Sequence, residues 1–211
     1  MKKFMALVCV LALATVSAFA VETYGELDFS IPVLSEVESN GTDKVKTTSL
    51  AGGFSGRAMM SNIVGIYGAV DVVFPMKIVN SLGAEIKRDV FERWAGFDAL
   101  VGLAIVPVNK GMFKLLIAPG FHVNFQYIKF SSQLSGTSTW LGAGANLMAE
   151  FHFSEKFYFA AGTGLFYDFH IFNKTRYSGE LAAIIGKASD SQSGRAKAFT
   201  VQPRVGIGFR L

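Results

Sequence analysis

Cysteine is nearly missing from this chain: one of its 211 residues is cysteine, Cys9. That residue sits in the opening run MKKFMALVCVLALATVSAFA, where Lys2 and Lys3 precede an apolar stretch and Ala18-Phe19-Ala20 forms a small-x-small cleavage site. The pattern is that of a secretory signal peptide, residues 1–20, expected to be removed. Cys9 lies within the apolar core and not at the cleavage point, which speaks against a lipid anchor. Residues 21–211 then have no disulfide to hold them, although export would permit one. Past the leader there is also no run of the 18 or more apolar residues that a spanning helix needs. A surplus of one charge is missing too. Without Lys2 and Lys3 the balance is 18 basic to 16 acidic residues with no basic stripe, so no nucleic-acid partner is expected.

What is abundant is apolar and aromatic: 51% hydrophobic residues, 13% aromatic, 20 of them phenylalanine. They recur with a period of two. In FHFSEKFYF, Phe151, Phe153, Phe157 and Phe159 share one face, while Glu150 and His152 take the other. Eight such segments follow one another, at about 22–33, 47–59, 63–74, 93–106, 112–129, 138–153, 157–172 and 198–211. A period of two is the strand signature. Segments of this length exceed the usual strand of about 5–6 residues and fit a wall that crosses a bilayer, where only alternate residues must be apolar. The expected fold is all-β: one domain, residues 21–211, forming an eight-stranded antiparallel up-and-down transmembrane β-barrel.

The connections alternate in length. Those at 60–62, 107–111 and 154–156 are short; those at about 34–46, 75–92, 130–137 and 173–197 are longer and more polar. Short turns at one end and long loops at the other is the outer-membrane pattern, with termini and short turns in the periplasm and four loops outside. Phe151, Phe153, Phe157 and Phe159 then belong to an aromatic girdle at the inner interface, with Phe125, Tyr127, Tyr167 and Phe169 near the opposite rim. Pro119 and Pro203 fall inside strands and should mark a bulge or a break.

With its signal peptide, its FHFSEKFYF hairpin and its closing strand FTVQPRVGIGFRL, the chain resembles the small eight-stranded outer-membrane barrels of the OmpA/OmpX/OmpW type. In that family the last strand ends on an aromatic residue read by the barrel-assembly machinery; here Leu211 ends the chain and Phe209 stands two before it. The resemblance implies the bacterial outer membrane as location, outer-membrane lipid as surroundings and the assembly machinery as a partner during biogenesis. It says little about activity.

The polar face should look into a lumen barely wide enough for its own side chains, so its charges should be paired. Neighbouring strands suggest Glu26 with Arg57, Lys114 with Glu150, and Asp168 with Arg204. Asp71 and Asp98, at similar depth, either share a proton or face Arg204 across the lumen. The plain reading of this face is an ionic network that plugs the interior; the sharper one is a narrow gated path, which the lumen-side glycines Gly120, Gly142, Gly144, Gly162, Gly164, Gly206 and Gly208 favour. His122, His152 and His170 share the lumen face at different depths, so neither a metal site nor any cofactor is expected. His152-Phe153-Ser154 invites comparison with the His-x-Ser pair of outer-membrane lipid A deacylases, but Ser154 falls in a periplasmic turn, and no catalytic residue is expected. The leading expectation is a monomeric, non-enzymatic surface protein with an envelope-structural role or an extracellular ligand for its loops. The alternative is an OmpW-like conduit for small, hydrophobic molecules, and a lipid A-modifying enzyme comes third.

Overall fold

The alternating segments become one closed sheet. The computed structural model describes residues 22–37, 44–192 and 196–211. The expected signal peptide and Arg195 of the longest loop lie outside the described residues. The strands are β1 (Glu22–Ser30), β2 (Val33–Val37), β3 (Lys44–Met59), β4 (Val64–Val79), β5 (Glu85–Lys87), β6 (Arg93–Lys110), β7 (Phe113–Ser131), β8 (Leu134–His152), β9 (Phe157–Tyr177), β10 (Ser189–Gln192) and β11 (Lys197–Arg210). A short helix, α1 (Gly179–Ile185), joins β9 to β10. Eight strands form the wall in the order β1, β3, β4, β6, β7, β8, β9, β11, and β11 pairs back with β1. Every pairing is antiparallel. Closure leaves no open edge through the wall, the condition for a sheet that meets lipid.

The faces separate by chemistry. Outward residues stay exposed though apolar: Phe121 is 77% exposed, Ile207 61% and Val101 60%. A belt of this extent is untenable in water and ordinary against lipid. No helix among the described residues is long and apolar enough to cross a membrane, so any crossing is made by the strands. Inward residues include Tyr67, Trp94, Leu116, Met148, Tyr158 and Phe166, all buried, together with most of the ionic side chains.

Several boundaries differ from the sequence expectation. The polar stretch 130–137, expected as a loop, is a tight hairpin: β7 runs to Ser131 and β8 begins at Leu134. Serines and Thr137 there fit a solvated ladder as well as a loop, and hydropathy alone does not separate the two. The turn expected at 107–111 shrinks to Gly111-Met112, because β6 continues through Pro107 to Lys110 past a register shift between Ile105 and Val108. Gly111 supplies the positive φ of that turn, +57°. At the two other short turns a serine organises the chain. Ser61 Oγ accepts from Val64 N at 3.0 Å, and Ser154 Oγ accepts from Phe157 N at 2.9 Å. The segment 181–185 is helical.

Pro119 and Pro203, the two prolines expected inside strands, sit where a ladder is interrupted. The β6–β7 pairing skips from Gly102↔Gly120 to Ile105↔Ile117, opposite Pro119, while Pro119 stays in register with Ala145 of β8. Pro203 turns its missing donor toward the Ile31-Pro32 gap between β1 and β2, and its carbonyl accepts from Ile31 N at 3.0 Å. In each case the lost hydrogen bond falls on one side only, and the other ladder holds the strand.

Candidate functional site: the barrel interior

Glu26, Arg57, Asp71, Asp98, Lys114, Glu150, Asp168 and Arg204 all face inward and are buried. Their partners, however, are not the strand neighbours that register suggests. Arg57 does not pair with Glu26. It reaches Glu150 with both terminal guanidinium nitrogens, Nη2 to Oε2 at 2.7 Å, and lies over the Tyr24 ring at 4.0 Å. β3 and β8 are four strands apart in a ring of eight, so this pair spans the full lumen. Lys114 sits beside Glu150 in the β7–β8 register, yet its Nζ donates to Tyr24 Oη at 2.8 Å, again across the ring. Asp168 pairs with His122 and not with Arg204. Arg204 takes Asp28 at 2.6 Å and Asp71 at 3.3 Å. Of the two readings for Asp71, the cross-lumen one is observed. Asp98, its register neighbour, turns to His122.

The physical reason is width. Side chains on adjacent strands at one depth point side by side, whereas those on opposite walls point at each other. In a narrow ring long side chains such as Arg57 and Lys114 end among groups from the far wall, while Arg204 also keeps Asp28 on the adjacent strand.

His122 is the group that partner arithmetic missed. Its Nδ1 lies 2.8 and 2.9 Å from the two oxygens of Asp168, its Nε2 contacts Asp98, and its ring stacks on Phe166 at 4.0 Å. Two carboxylate acceptors call for two donors, which the imidazolium form supplies. Asp168 and His122 are two strands apart and meet because Gly142 stands between them in both registers. A Cβ on Gly142 would overlap the Asp168 carboxylate. Asp28 was also missed as a partner, although it shares the polar face of β1 with Glu26 and Ser30. Gln202 completes the central group, donating to Ser30 Oγ at 2.8 Å and Asp71 at 2.9 Å.

The other expected site residues fall as follows. Phe151, Phe153, Phe157, Phe159, Tyr167 and Phe169 point outward and are exposed; Phe125 and Tyr127 also point outward and are half-buried. Phe125 stacks on Phe97 at 5.4 Å, and Tyr167 meets Phe169 edge-on at 5.3 Å. His152 Nε2 lies 3.1 Å from Glu150, while the Ser154 hydroxyl is engaged with the backbone of its own turn. His170 packs on Trp140 at 4.6 Å. No group of three or more metal-ligating side chains with suitable geometry occurs among the described residues.

No protein-family model matches the chain, and neither does any curated protein sequence. Solved structures do. The outer membrane protein OprG from Pseudomonas aeruginosa superposes with a TM-score of 0.55 at 12% identity, over 91% of this chain and 97% of that one. Neisserial surface protein A gives 0.53 at 8% identity, over 89% and 96%. The outer membrane protease OmpT from Escherichia coli gives 0.50 at 7% identity, over 91% and 97%. At such identities the likeness is one of fold.

Proposed function

We propose that this chain is a non-enzymatic surface protein of the bacterial outer membrane, with a closed interior and its contacts made at the long-loop end. One observation carries the reading. The space left by the lumen glycines is filled, not open. Tyr158 packs against Gly208, Phe166 against Gly144 and Gly164, and Asp168 against Gly142. With the cross-lumen pairs Arg57–Glu150 and Arg204–Asp71, these side chains fill the lumen from near its short-turn end to mid-depth.

The outward apolar belt supports the membrane location, and its long-loop end faces outside. Ser154 Oγ accepts from the backbone N–H groups of Lys156 and Phe157, and His152 Nε2 faces Glu150, so each is occupied within the turn or the lumen. Single-channel recording in planar bilayers tests the plug. The expected trace is silent at all applied voltages. Discrete steps from the purified barrel would replace this reading by the conduit.

A further inference from the structure

At the long-loop end the outer surface changes character in three successive rows. Register partners in antiparallel strands point to the same face. The lowest row is Phe97, Phe125, Thr139 and Phe172, on β6 to β9. Two residues further along the strands come Ala95, Tyr127, Thr137 and Lys174. Two further still come Arg93, Lys129, Ser135 and Arg176, with Ser189 of β10 beside Arg176. The top row therefore lies roughly 13 Å along the strands from the aromatic row. That is the step from acyl chains to headgroups.

A β-bulge makes this row possible. The β8–β9 register shifts between Thr139 and Trp140, where Thr139 pairs with Phe172 and Trp140 with His170. Ile171 is the extra residue. Below it the odd residues of β9, such as Phe169, face out. Above it the even ones do, which brings Phe172, Lys174 and Arg176 to the outer face. Without the bulge Arg176 would point inward.

The row is also the wall of a cavity. Lys129, Ser135 and Arg176 border a space of about 230 Å³, together with Ser131, Ser132, Gln133, Leu134, Tyr177, Ser178 and Ala188. Its frame is fixed: Ser178 N donates to Gln133 O at 3.0 Å, and Ser178 Oγ donates to Ser132 O at 3.2 Å. Ser131 Oγ accepts from Gln133 N, which leaves its own proton free to donate. Lys129 and Arg176 are two strands apart, roughly 10 Å at the backbone, a span that two long side chains can bridge to one anion once Lys129 turns from its ion pair with Glu92. Glu92 shares Lys129, whereas Arg176 is exposed and has no acidic partner among the described residues.

We propose that this cavity holds a phosphate group of an outer-leaflet glycolipid, clamped by Lys129 and Arg176 with hydroxyls from Ser131 and Ser135, while the acyl chains lie down the aromatic rows beneath. The cavity is smaller than the roughly 300–1,000 Å³ of a drug-sized site, as suits one headgroup fragment whose remainder stays in the membrane. The inference rests on the membrane reading above and adds to it a defined lipid site on one side of the barrel.

The test is an amide NMR titration of the barrel in zwitterionic micelles with four probes: a bisphosphorylated acylated disaccharide lipid, the same lipid without phosphates, inorganic phosphate, and a soluble sulfated polysaccharide. The phosphorylated lipid should shift the amides of residues 131–135 and 176–178 saturably. The double variant K129Q/R176Q should weaken this roughly 10- to 100-fold, the loss of two charge-assisted contacts. Lys156→Gln, in the turn at the other end, should bind as the wild type does, and heat-modifiable gel migration checks that each variant is folded. Equal binding of the dephosphorylated lipid overturns the proposal. So does tighter binding of the polysaccharide, or of inorganic phosphate alone, because each makes this a soluble-anion site. Failure of the membrane reading itself looks different: the chain would fold in plain buffer without amphiphile.

Discussion

Replacing Glu150 with glutamine keeps the shape of the lumen and removes one charge from its longest bridge. Arg57 is 3% exposed at its side chain and Glu150 fully buried, so no water takes over the interaction. Losing one member of a buried ion pair costs about 3–5 kcal/mol, mostly because the remaining charge stays buried. Here the amide oxygen still accepts one hydrogen bond from Arg57, which returns about 1 kcal/mol. The Tyr24 ring at 4.0 Å is present before and after and changes nothing. The His152 contact at 3.1 Å is weakened too. The expected loss is therefore about 3 kcal/mol. Urea unfolding in phospholipid vesicles measures it, followed by the fluorescence of Trp94 and Trp140. The double variant Arg57→Met with Glu150→Leu removes both charges together and should return to within about 1 kcal/mol of the wild type. Its coupling energy then reports the bridge alone. A loss below about 0.5 kcal/mol for Glu150→Gln, or strict additivity, would refute a cross-lumen pair that bears on stability.

Three further outcomes follow from other parts of the wall. Gly142→Ala places a methyl group against the Asp168 carboxylate and the Tyr167 carbonyl and should cost about 1–3 kcal/mol, whereas Gly68→Ala, with open space at the same position, should change stability by less than about 0.5 kcal/mol in the same unfolding assay. His122→Leu leaves Asp98 and Asp168 buried without their shared partner and should cost about 3–5 kcal/mol, part of which Asp168→Asn added to it should restore. Phe121→Arg, on the lipid face at mid-strand, should cost about 2–4 kcal/mol in vesicles, and Leu211→Arg, at the end of the wall, about 0–1; equal costs at the two sites would contradict a barrel that spans the bilayer.

The faces of the strands could be read from the chain alone, and so could their number. Alternation such as Phe151, Phe153, Phe157, Phe159 against Glu150 and His152 is set by the pleat, a local property that no tertiary contact needs to adjust. The partners inside the lumen could not be read in the same way. Arg57 and Glu150 are 93 residues apart in sequence and on opposite walls. Their meeting depends on barrel radius and stagger, which appear in the sequence only as the sum of all registers. The outward turn of Arg176 was hidden for a related reason. Strict alternation from Phe169 puts position 176 inside, and one extra residue at Ile171 reverses it. A bulge of this kind leaves no hydropathy signal. The hairpin at Ser132-Gln133 was hidden because β8, from Ser135 to Thr139, is polar on both faces where it leaves the apolar belt.

The narrowness that scrambled the expected pairs also bears on what the lumen can do. An aqueous path requires Tyr158 and Phe166 to leave the sites where they are buried, and exposing each to lumen water costs about 1.5–3 kcal/mol. Since 1.4 kcal/mol is a factor of ten, those two movements alone hold an open form below about 1% of the population. Parting Arg57 from Glu150 lowers it further, because both walls are tied through that pair. Chemistry that reaches the lumen from either side therefore stops short of mid-depth. Among the cations that lie outside the lumen are Lys129 and Arg176, which the extended β7–β8 hairpin and the bulge in β9 carry to the outer rim. A barrel built this way invests its buried charge in rigidity and leaves Lys129 and Arg176 where the membrane surface is. On that reasoning Glu150→Gln and K129Q/R176Q should separate cleanly: the first loses stability and keeps lipid binding, and the second does the reverse. A stability loss from the rim variant as large as that from the lumen variant would show that the two ends of the molecule are not independent.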